Sequence, residues 1–300
     1  MRQYVRDGWD LGGAALRLAV DHRELRRFAA VAYGIAIVVE AAVSVTVLLI
    51  RHDLALWQRP IVLLSLAYLA ALLSALAAVG LAGLSATLLE GREVLSADGW
   101  RLMRRRFPQI AGWAGIVVVV GIPSRFLTGW GVDQISAVLL GFGWAVLSFF
   151  AIPAIALRGD GPIAAGLRSL RLVGRRWGEQ VVGMVYVWVR PAVFLGLPGV
   201  LAVVGGIALD RTGHDLLGWT IAIAGGFAIA IAYLLTVAAQ SLLSVTLFRF
   251  AEGDEVHGAF NREQLERVLR GPAPLVTRAV RRLENDRTRR LRERIRSMFS

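Results

Sequence analysis

Three polar side chains that could do chemistry lie inside long apolar runs of the sequence. Glu40, Arg190 and Gln240 are each surrounded by apolar and small residues. Counted at about 1.5 Å per residue from the nearest charge, each lies roughly 14–19 Å into its run. A lone charge in hydrocarbon costs about 2.5–3.5 kcal/mol on insertion scales. We therefore predict a buried Glu40–Arg190 ion pair, with Gln240 supplying a hydrogen bond.

Arg190 has a second interpretation, which the sequence leaves open. Pro191 removes a backbone donor and clashes with the carbonyl one turn back, so it predicts a kink and freed acceptors beside the guanidinium. Residues 191–209, however, are almost enough to cross a membrane alone. Arg190 would then extend its head group to the inner membrane boundary, with Tyr186 and Trp188 as interfacial residues.

No catalytic constellation is evident in the chain. Cysteine and lysine are both absent, which excludes thiolate catalysis, Cys-based metal sites and a P-loop. The pairs His52–Asp53 and His214–Asp215 carry ligands that suit divalent cations. Each pair directly precedes an apolar run, where Asp is a common helix N-cap. We therefore expect no catalytic residue, no metal and no cofactor.

The elements that hold these residues are predicted to be membrane-spanning helices. Hydrophobic residues make up 56% of the chain, more than an ordinary soluble core requires. A hydrocarbon core about 30 Å thick needs roughly 20 apolar residues per helix. Six runs reach that length, approximately 29–50, 61–89, 107–127, 134–157, 181–209 and 216–248. Because the alternation of a barrel strand is absent, the predicted fold class is an all-α polytopic membrane protein with six transmembrane helices.

The arginines are concentrated on one side of the predicted spans. All 34 basic residues are arginine, and the side opposite the main concentration has only Arg51, Arg59, Arg125 and Arg211. Because an Arg/Lys excess marks cytoplasmic loops, we predict a plasma-membrane protein with both termini in the cytoplasm. The predicted division is an amphipathic N-terminal segment (1–28), a transmembrane domain (29–250) and a basic tail (251–300) that forms a further helix.

Short echoes divide the six runs into three units. "DGWDL" at 7–11 recurs as "DGWRL" at 98–102, and "DGP" begins at position 160. Each precedes a stretch of leucines and arginines and then two apolar runs. We predict three hairpin units, each preceded by an amphipathic helix that lies in the membrane plane. Chance similarity of the echoes, and a solvated loop in place of each amphipathic helix, are the alternatives.

The basic faces of these predicted helices form a candidate lipid-binding surface. Anionic headgroups attract basic residues by about 1 kcal/mol each near the membrane surface. The expected partners are therefore membrane lipids, anionic at the cytoplasmic face, and a homo-oligomer or a membrane-protein partner is a further interpretation. Nucleic acid is disfavoured, because no recognition fold accompanies the basic tail. The candidate residues are Arg104, Arg105, Arg106, Arg168, Arg171, Arg175 and Arg176.

One group of motifs resembles a known family. Phe-x-x-Pro is followed by Gly-Pro, Arg-Ser and Trp-Gly-Glu, at Phe150, Pro153, Gly161, Pro162, Arg168, Ser169, Trp177, Gly178 and Glu179. With residues 8–25 and 247–260, these motifs resemble an uncharacterised prokaryotic family of six-span membrane proteins, a domain of unknown function, over most of 8–270. The resemblance implies the topology and supplies no activity. The chain departs from that family at Arg190–Pro191 and in its basic tail.

Two functional classes remain after these observations. The sequence favours a non-enzymatic multi-pass membrane protein that acts as a scaffold or interacts with lipid. The alternative is a transporter or channel in which Glu40, Arg190 and Gln240 line a path. A water-accessible cavity that reaches those residues would distinguish the second class from the first.

Overall fold

The computed structural model describes residues 2–50, 55, 57–126, 148–176, 187, 189–212 and 214–253, and every regular element in these ranges is helical. The elements are α1 (Arg2–Asp21), α2 (Arg23–Ile50), α3 (Gln58–Leu89), α4 (Ser96–Arg105), α5 (Phe107–Phe126), α6 (Ser148–Arg158), α7 (Pro162–Arg176), α8 (Val189–Asp210) and α9 (Asp215–Glu252). The all-helical part of the predicted fold class is confirmed for these residues, whereas the six transmembrane helices and the hairpin layout stay predictions.

Four of these helices, α2, α3, α8 and α9, are long and apolar enough to cross a membrane. The described apolar parts of the predicted third and fourth runs are shorter, at Phe107–Val120 and Ser148–Arg158. Residues 134–147 and 181–186, which belong to the predicted fourth and fifth runs, lie outside the described residues. So does the predicted tail beyond residue 253.

Two helices contain a wide π-helical turn directly after a proline. Pro153 precedes the turn Ala154–Arg158 in α6, and Pro191 precedes the turn Ala192–Gly196 in α8. A proline lacks a backbone donor and crowds the preceding turn, so the hydrogen-bond pattern around it is interrupted. The irregularity predicted at Pro191 therefore takes the form of a π turn.

The long helices run in alternating directions. The Cβ of an alanine at Gly80 of α3 would meet the Phe28 ring of α2, whereas Ser74, earlier in α3, lies beside Glu40, later in α2. Helices α2 and α3 are therefore antiparallel. The Ser85 and Ser241 hydroxyls are 3.0 Å apart and the ends of α3 and α9 are also joined by an ion pair, which makes α9 parallel to α3.

The hydrophobic core lies at one end of the bundle, where α2 begins and α3 and α9 end. Here α9 is buried over most of Thr236–Phe248, and α3 over most of Ala75–Leu89. Helices α1, α4 and α6 contact the long helices at this end. We call it the basic end, because arginines of α1, α2, α4, α7 and the last turn of α9 lie there.

The remaining length of the long helices exposes large apolar side chains. They lie on α2 from Val31 to Leu49, on α3 from Ile61 to Tyr68, on α5 at Val119 and Val120, on α8 from Val189 to Ile207, and on α9 from Leu216 to Tyr233. We call this region the apolar band. Contiguous exposed apolar surface of this extent marks a region that meets lipid or another apolar partner.

Helices α8 and α9 form an antiparallel pair through contacts between glycine backbones. A Cβ at Gly199 would lie 2.8 Å from the Gly225 oxygen, and a Cβ at Gly225 would lie 2.5 Å from the Gly199 oxygen. Gly206 and Gly218 repeat the contact seven residues away. Small residues let helix backbones approach closely in a membrane, where packing takes the place of the hydrophobic effect.

Each of the three predicted amphipathic segments forms a separate helix. The apolar faces of these helices differ in whether other parts of the protein cover them. Helix α1 turns Ala15, Leu16 and Ala19 into the core and contacts α9. Helix α7 buries Ala165 and Ser169, whereas Leu167 and Leu170, on its predicted apolar face, are each 53% exposed. The apolar face of α7 is therefore open to an external partner, while that of α1 is largely used within the protein.

Candidate functional site

Glu40 lies within the apolar band, in the second half of α2. The Ser74 hydroxyl of α3 is its hydrogen-bond partner, and Tyr233 of α9 lies close enough to interact with it electrostatically. The Tyr233 ring also meets the Tyr33 ring edge-on, with centroids 5.8 Å apart. The carboxylate of α2 therefore interacts with hydroxyl-bearing side chains of two neighbouring helices, α3 and α9.

Arg190 does not join this group. The hydrogen-bond partner of Glu40 in the structure is the Ser74 hydroxyl of α3, and the Arg190 guanidinium is not among the groups that act on the Glu40 carboxylate. Arg190 is exposed at the beginning of α8 and lines a cavity of about 370 Å³ against α1. Arg17 and Asp21 of α1 line the same cavity. The structure thus places the guanidinium where α1 meets α8, and the carboxylate where α2 meets α3.

Gln240 lies at a different level of the bundle from Glu40. Because Ser241 contacts Ser85, Gln240 is level with that part of α3. Ser74, the neighbour of Glu40, precedes Ser85 by three helical turns, which is about 16 Å along the axis. The structure therefore does not bring Gln240 to Glu40. The physical reason is that α9 continues far past the apolar band, so the distance from Arg249 does not measure depth in the band.

The candidate lipid-binding arginines divide into outward and inward groups. Arg104 and Arg105 of α4 are exposed, as is Arg171 of α7, whose Nε donates to the Leu167 carbonyl. Arg175 and Arg176 belong to α7, but their side chains lie outside the described residues. The structure is thus consistent with a lipid-facing position for the first three residues.

Arg168 and Arg106 turn inward, which corrects the expectation that they face lipid. Arg168 Nε donates to Asp160 Oδ2 at 2.5 Å, and its Nη1 donates to Glu252 Oε1 at 2.8 Å. Arg106 extends over Gly159, and its Nε atom is buried. The helical period places Arg168 on a polar face, but that face meets the carboxylates of the neighbouring elements instead of solvent.

Glu252 is the centre of this inward group. Its side chain is only 8% exposed and forms ion pairs with both Arg158 and Arg168. The three residues belong to α9, α6 and α7 respectively, so the network joins the ends of three helices. Removing one partner of a buried ion pair leaves an uncompensated charge, which typically costs about 3–5 kcal/mol. Helix α9 itself continues to Glu252, and the predicted division at residue 250 stays a prediction.

Two separate groups of polar contacts join α3 to α9 and α2 to α4. Burial raises the pKa of Glu90, but hydrogen bonds and charge from Arg249 and Arg92 outweigh it, so the pKa of Glu90 is lowered. The Ser96 hydroxyl donates to Glu24 Oε2 at 2.8 Å. This bond, with that from Arg27, lowers the pKa of Glu24. Both carboxylates thus favour the ionised form at neutral pH.

A larger cavity of about 500 Å³ lies where α1 meets α2, opposite the end of α3. His22, Glu24 and Glu93 line it together with arginines and leucines. The His22 ring is hydrogen-bonded to the Leu18 carbonyl at 3.0 Å. In the part of the chain that the structure describes, no group of three metal-ligating side chains comes together.

The two His–Asp pairs, which were expected to be helix caps and not metal ligands, are only partly described. His52 and Asp53 lie outside the described residues. His214 precedes α9 in the cap position without a capping hydrogen bond from its side chain, and Asp215 is the first residue of the helix. The structure therefore places His214, and not the predicted Asp, at the cap of α9. A carboxylate in the first turn still complements the positive end of the helix dipole.

Two features of the structure were not predicted from the sequence. The glycine pair of α8 and the glycine pair of α9 each have a seven-residue spacing, which is a signal for close helix contact. Glu252 had no such signal, because a single carboxylate after an apolar run is equally compatible with a solvated tail. Its role follows only from the positions of α6 and α7.

Comparison with known proteins adds a family and no activity. The DUF6159 family, described as a family of unknown function, matches residues 58–256. That range covers α3 to α9. It includes Ser74, the hydrogen-bond partner of Glu40, and the ion pairs of Glu252. No curated protein and no solved structure matches the chain. The match covers well over half of the sequence, and the chain therefore belongs to the DUF6159 family of unknown function.

Proposed function

We propose that this chain is a six-span protein of the plasma membrane, arranged in three hairpin units, with both termini in the cytoplasm. Its role is non-enzymatic: the basic end acts as a scaffold that engages anionic lipids of the inner leaflet. The observation that carries the proposal is the sharp change along the long helices. Their exposed apolar band gives way to a buried core surrounded by arginine-bearing helices.

The length of the band agrees with a bilayer. Helix α9 rises about 30 Å between Asp215 and Leu235, and α8 rises about 30 Å between Arg190 and Asp210. That is the thickness of a hydrocarbon core. The remainder of α9 then projects beyond the membrane on the basic side. On this basis Arg190 lies at the inner boundary, which favours the second interpretation of its role, and Glu40 lies inside the hydrocarbon.

The exposed surface of the basic end suits an anionic membrane. Arg104 and Arg105 of α4 are open to the surroundings, and α7 exposes Leu167 and Leu170 beside its own exposed Arg171. An amphipathic helix with this composition lies at a membrane interface, its apolar face toward the acyl chains. The Glu252 network would hold α7 in that orientation.

The topology can be tested by single-cysteine labelling, because the chain has no cysteine of its own. In intact cells we expect a membrane-impermeant maleimide to label Thr212→Cys and Thr128→Cys, and to label Glu93→Cys only after the cells are opened. Thr128 lies between the predicted third and fourth runs. Labelling of Thr212→Cys without labelling of Thr128→Cys would contradict six crossings.

Lipid engagement can be tested by thermal unfolding in nanodiscs. Phosphatidylglycerol should raise the Tm relative to phosphatidylcholine, and salt should reduce this gain because it screens charge. The gain should shrink in a variant with Arg104→Gln and Arg105→Gln, but not in Arg211→Gln, a control exposed at the opposite end. Equal gains in both variants would count against a lipid-binding basic end.

A transporter or channel is the second candidate, and Glu40 is the observation that favours it. An ionisable residue at membrane depth is a functional candidate by default. Flux of small solutes and protons into proteoliposomes should then fall in Glu40→Gln, while Ser44→Ala, one turn away on an exposed surface, should behave as the parent. Absence of any flux in the parent protein would remove this candidate.

A further inference from the structure

The cavity between α1 and α8 has walls of two different chemistries. Its apolar lining, here called the apolar wall, is formed by Leu16 and Val20 of α1, Phe194 and Leu195 of α8, and Leu235 of α9. Its charged lining, here called the polar wall, is formed by Arg17 and Asp21 of α1 and by Arg190 of α8. Its volume of about 370 Å³ lies within the range of roughly 300–1,000 Å³ of ligand sites. A ligand that fits both walls must itself be amphipathic, with an acidic head and an apolar chain.

The cavity also lies at the edge of the apolar band. Phe194 is 72% exposed and continues the exposed apolar surface of α8, whereas Arg17 and Asp21 belong to the last two turns of α1 at the basic end. The π turn that follows Pro191 positions both Phe194 and Leu195. An amphipathic molecule that enters sideways from a bilayer would meet the apolar wall with its chain and the polar wall with its head.

The charges restrict the class of head group. Among the described residues that line the cavity, two guanidiniums and one carboxylate give a net charge of about +1. A guanidinium binds phosphate oxygens through paired, charge-assisted hydrogen bonds. A phosphodiester with a single negative charge neutralises this set. A phosphomonoester, with up to two negative charges, would be opposed by the carboxylate.

We propose that this cavity binds the head group of one anionic phospholipid with a single phosphodiester charge, taken from the inner leaflet. Arg17 and Arg190 hold the phosphate, and one acyl chain follows Phe194 toward the bilayer. This site rests on the proposed function, since it requires the basic end to face the inner leaflet. It goes beyond that proposal because it is a discrete site with a stoichiometry of one, and not a diffuse charged surface.

The test is native mass spectrometry of the full chain released from phosphatidylglycerol nanodiscs. The parent protein should retain one phosphatidylglycerol. Arg17→Gln and Arg190→Gln should each reduce the retained fraction by about tenfold, the loss expected for one charge-assisted contact. Arg26→Gln, exposed at the basic end but outside the cavity and not among the proposed lipid-facing arginines, should retain the lipid as the parent does.

Asp21→Asn provides a change of opposite sign. Loss of this carboxylate should raise retention of phosphatidylglycerol, and it should raise retention of the more highly charged phosphatidic acid still further. A purely structural role of the three residues would not produce an increase. Helix content and elution volume in detergent verify that each variant is folded.

Three outcomes would overturn the site. Equal loss in Arg17→Gln and Arg26→Gln would indicate a diffuse surface, which leaves the proposed function intact. Complete displacement of the lipid by an equal concentration of glycerophosphoglycerol, the soluble phosphodiester that carries the same head group without acyl chains, would mean that the apolar wall contributes nothing and that the ligand is a soluble phosphodiester. If no variant alters retention and phosphatidylglycerol does not raise the Tm of the parent, both proposals fail.

Discussion

The contact between α8 and α9 gives the sharpest test of the structure, through two adjacent glycines. Gly225 and Gly226 are neighbours in α9, but a Cβ at Gly225 would lie 2.5 Å from the Gly199 oxygen, whereas a Cβ at Gly226 would meet nothing within 4 Å. The same substitution by alanine therefore tests contact at one position and helix propensity at the other. Few pairs of sites differ so strongly at such small separation.

The expected loss of stability follows from the distance between the added methyl group and the backbone of α8. Ordinary contact begins at 3.4 Å, so the Gly225→Ala methyl group overlaps backbone atoms by about 1 Å. Because backbone atoms cannot rotate away, the two helices must separate, and overpacking of this kind costs about 1–3 kcal/mol. Alanine at either site also gains up to ~1 kcal/mol of helix propensity over glycine. We expect Gly226→Ala to be neutral or stabilising and Gly225→Ala to be less stable than it by about 2 kcal/mol.

The assay is reversible unfolding in mixed micelles of dodecyl maltoside and SDS, followed by circular dichroism. A difference of about 2 kcal/mol changes the folded-to-unfolded ratio roughly 30-fold. Gly206→Ala and Gly205→Ala repeat the comparison on α8, since Gly206 contacts α9 and Gly205 faces open space. If Gly225→Ala is as stable as Gly226→Ala, the α8–α9 contact is refuted. A double variant with Gly199→Ala should cost less than the sum, because the helices have already separated.

Two further predictions concern the basic end. Gly159→Ala should destabilise the protein by about 1–2 kcal/mol, because the φ of Gly159 is 72°, which is left-handed, and an added Cβ would overlap the Arg106 guanidinium. The control in the same unfolding assay is Gly161→Ala, since Gly161 has open space around it. Arg249 holds the pKa of Glu90 below its unfolded value despite burial, so the stability this group supplies should be present at neutral pH and disappear as pH falls through the ordinary carboxyl range. In Glu90→Gln the Tm should fall less between pH 6 and pH 3, and an unchanged slope would contradict the ion pair.

The long helices were predictable because hydropathy is a property of the local sequence. The second and sixth apolar runs were predicted at 61–89 and 216–248, and the structure has helices at Gln58–Leu89 and Asp215–Glu252. Each helix extends beyond its predicted limits, to Gln58 at the beginning of α3 and to Glu252 at the end of α9. A run of apolar residues longer than 20, however, does not reveal which part meets lipid and which part is buried in protein.

Because of that ambiguity, Glu40, Arg190 and Gln240 were predicted to lie together at a similar depth. Depth was measured from the nearest charge on each helix, which assumes that every helix leaves the membrane at its last apolar residue. Helix α9 instead continues through a protein core before it reaches Arg249, so Gln240 lies level with Ser85 and not with Glu40. Positions along single helices are local, but relative levels depend on contacts between helices distant in sequence.

The inward position of Arg168 follows from the geometry of its side chain. A guanidinium presents donors on Nε and on both Nη atoms in one plane, so one arginine can serve two carboxylates in different directions. Arg168 does so, with Nε toward Asp160 and Nη1 toward Glu252. A lysine ammonium at this position would provide a single point of charge and would not reach both. The basic end of the bundle therefore uses arginine in two ways that composition alone does not separate: inward, as a bridge between helix ends, and outward, as the charge that a membrane surface would meet.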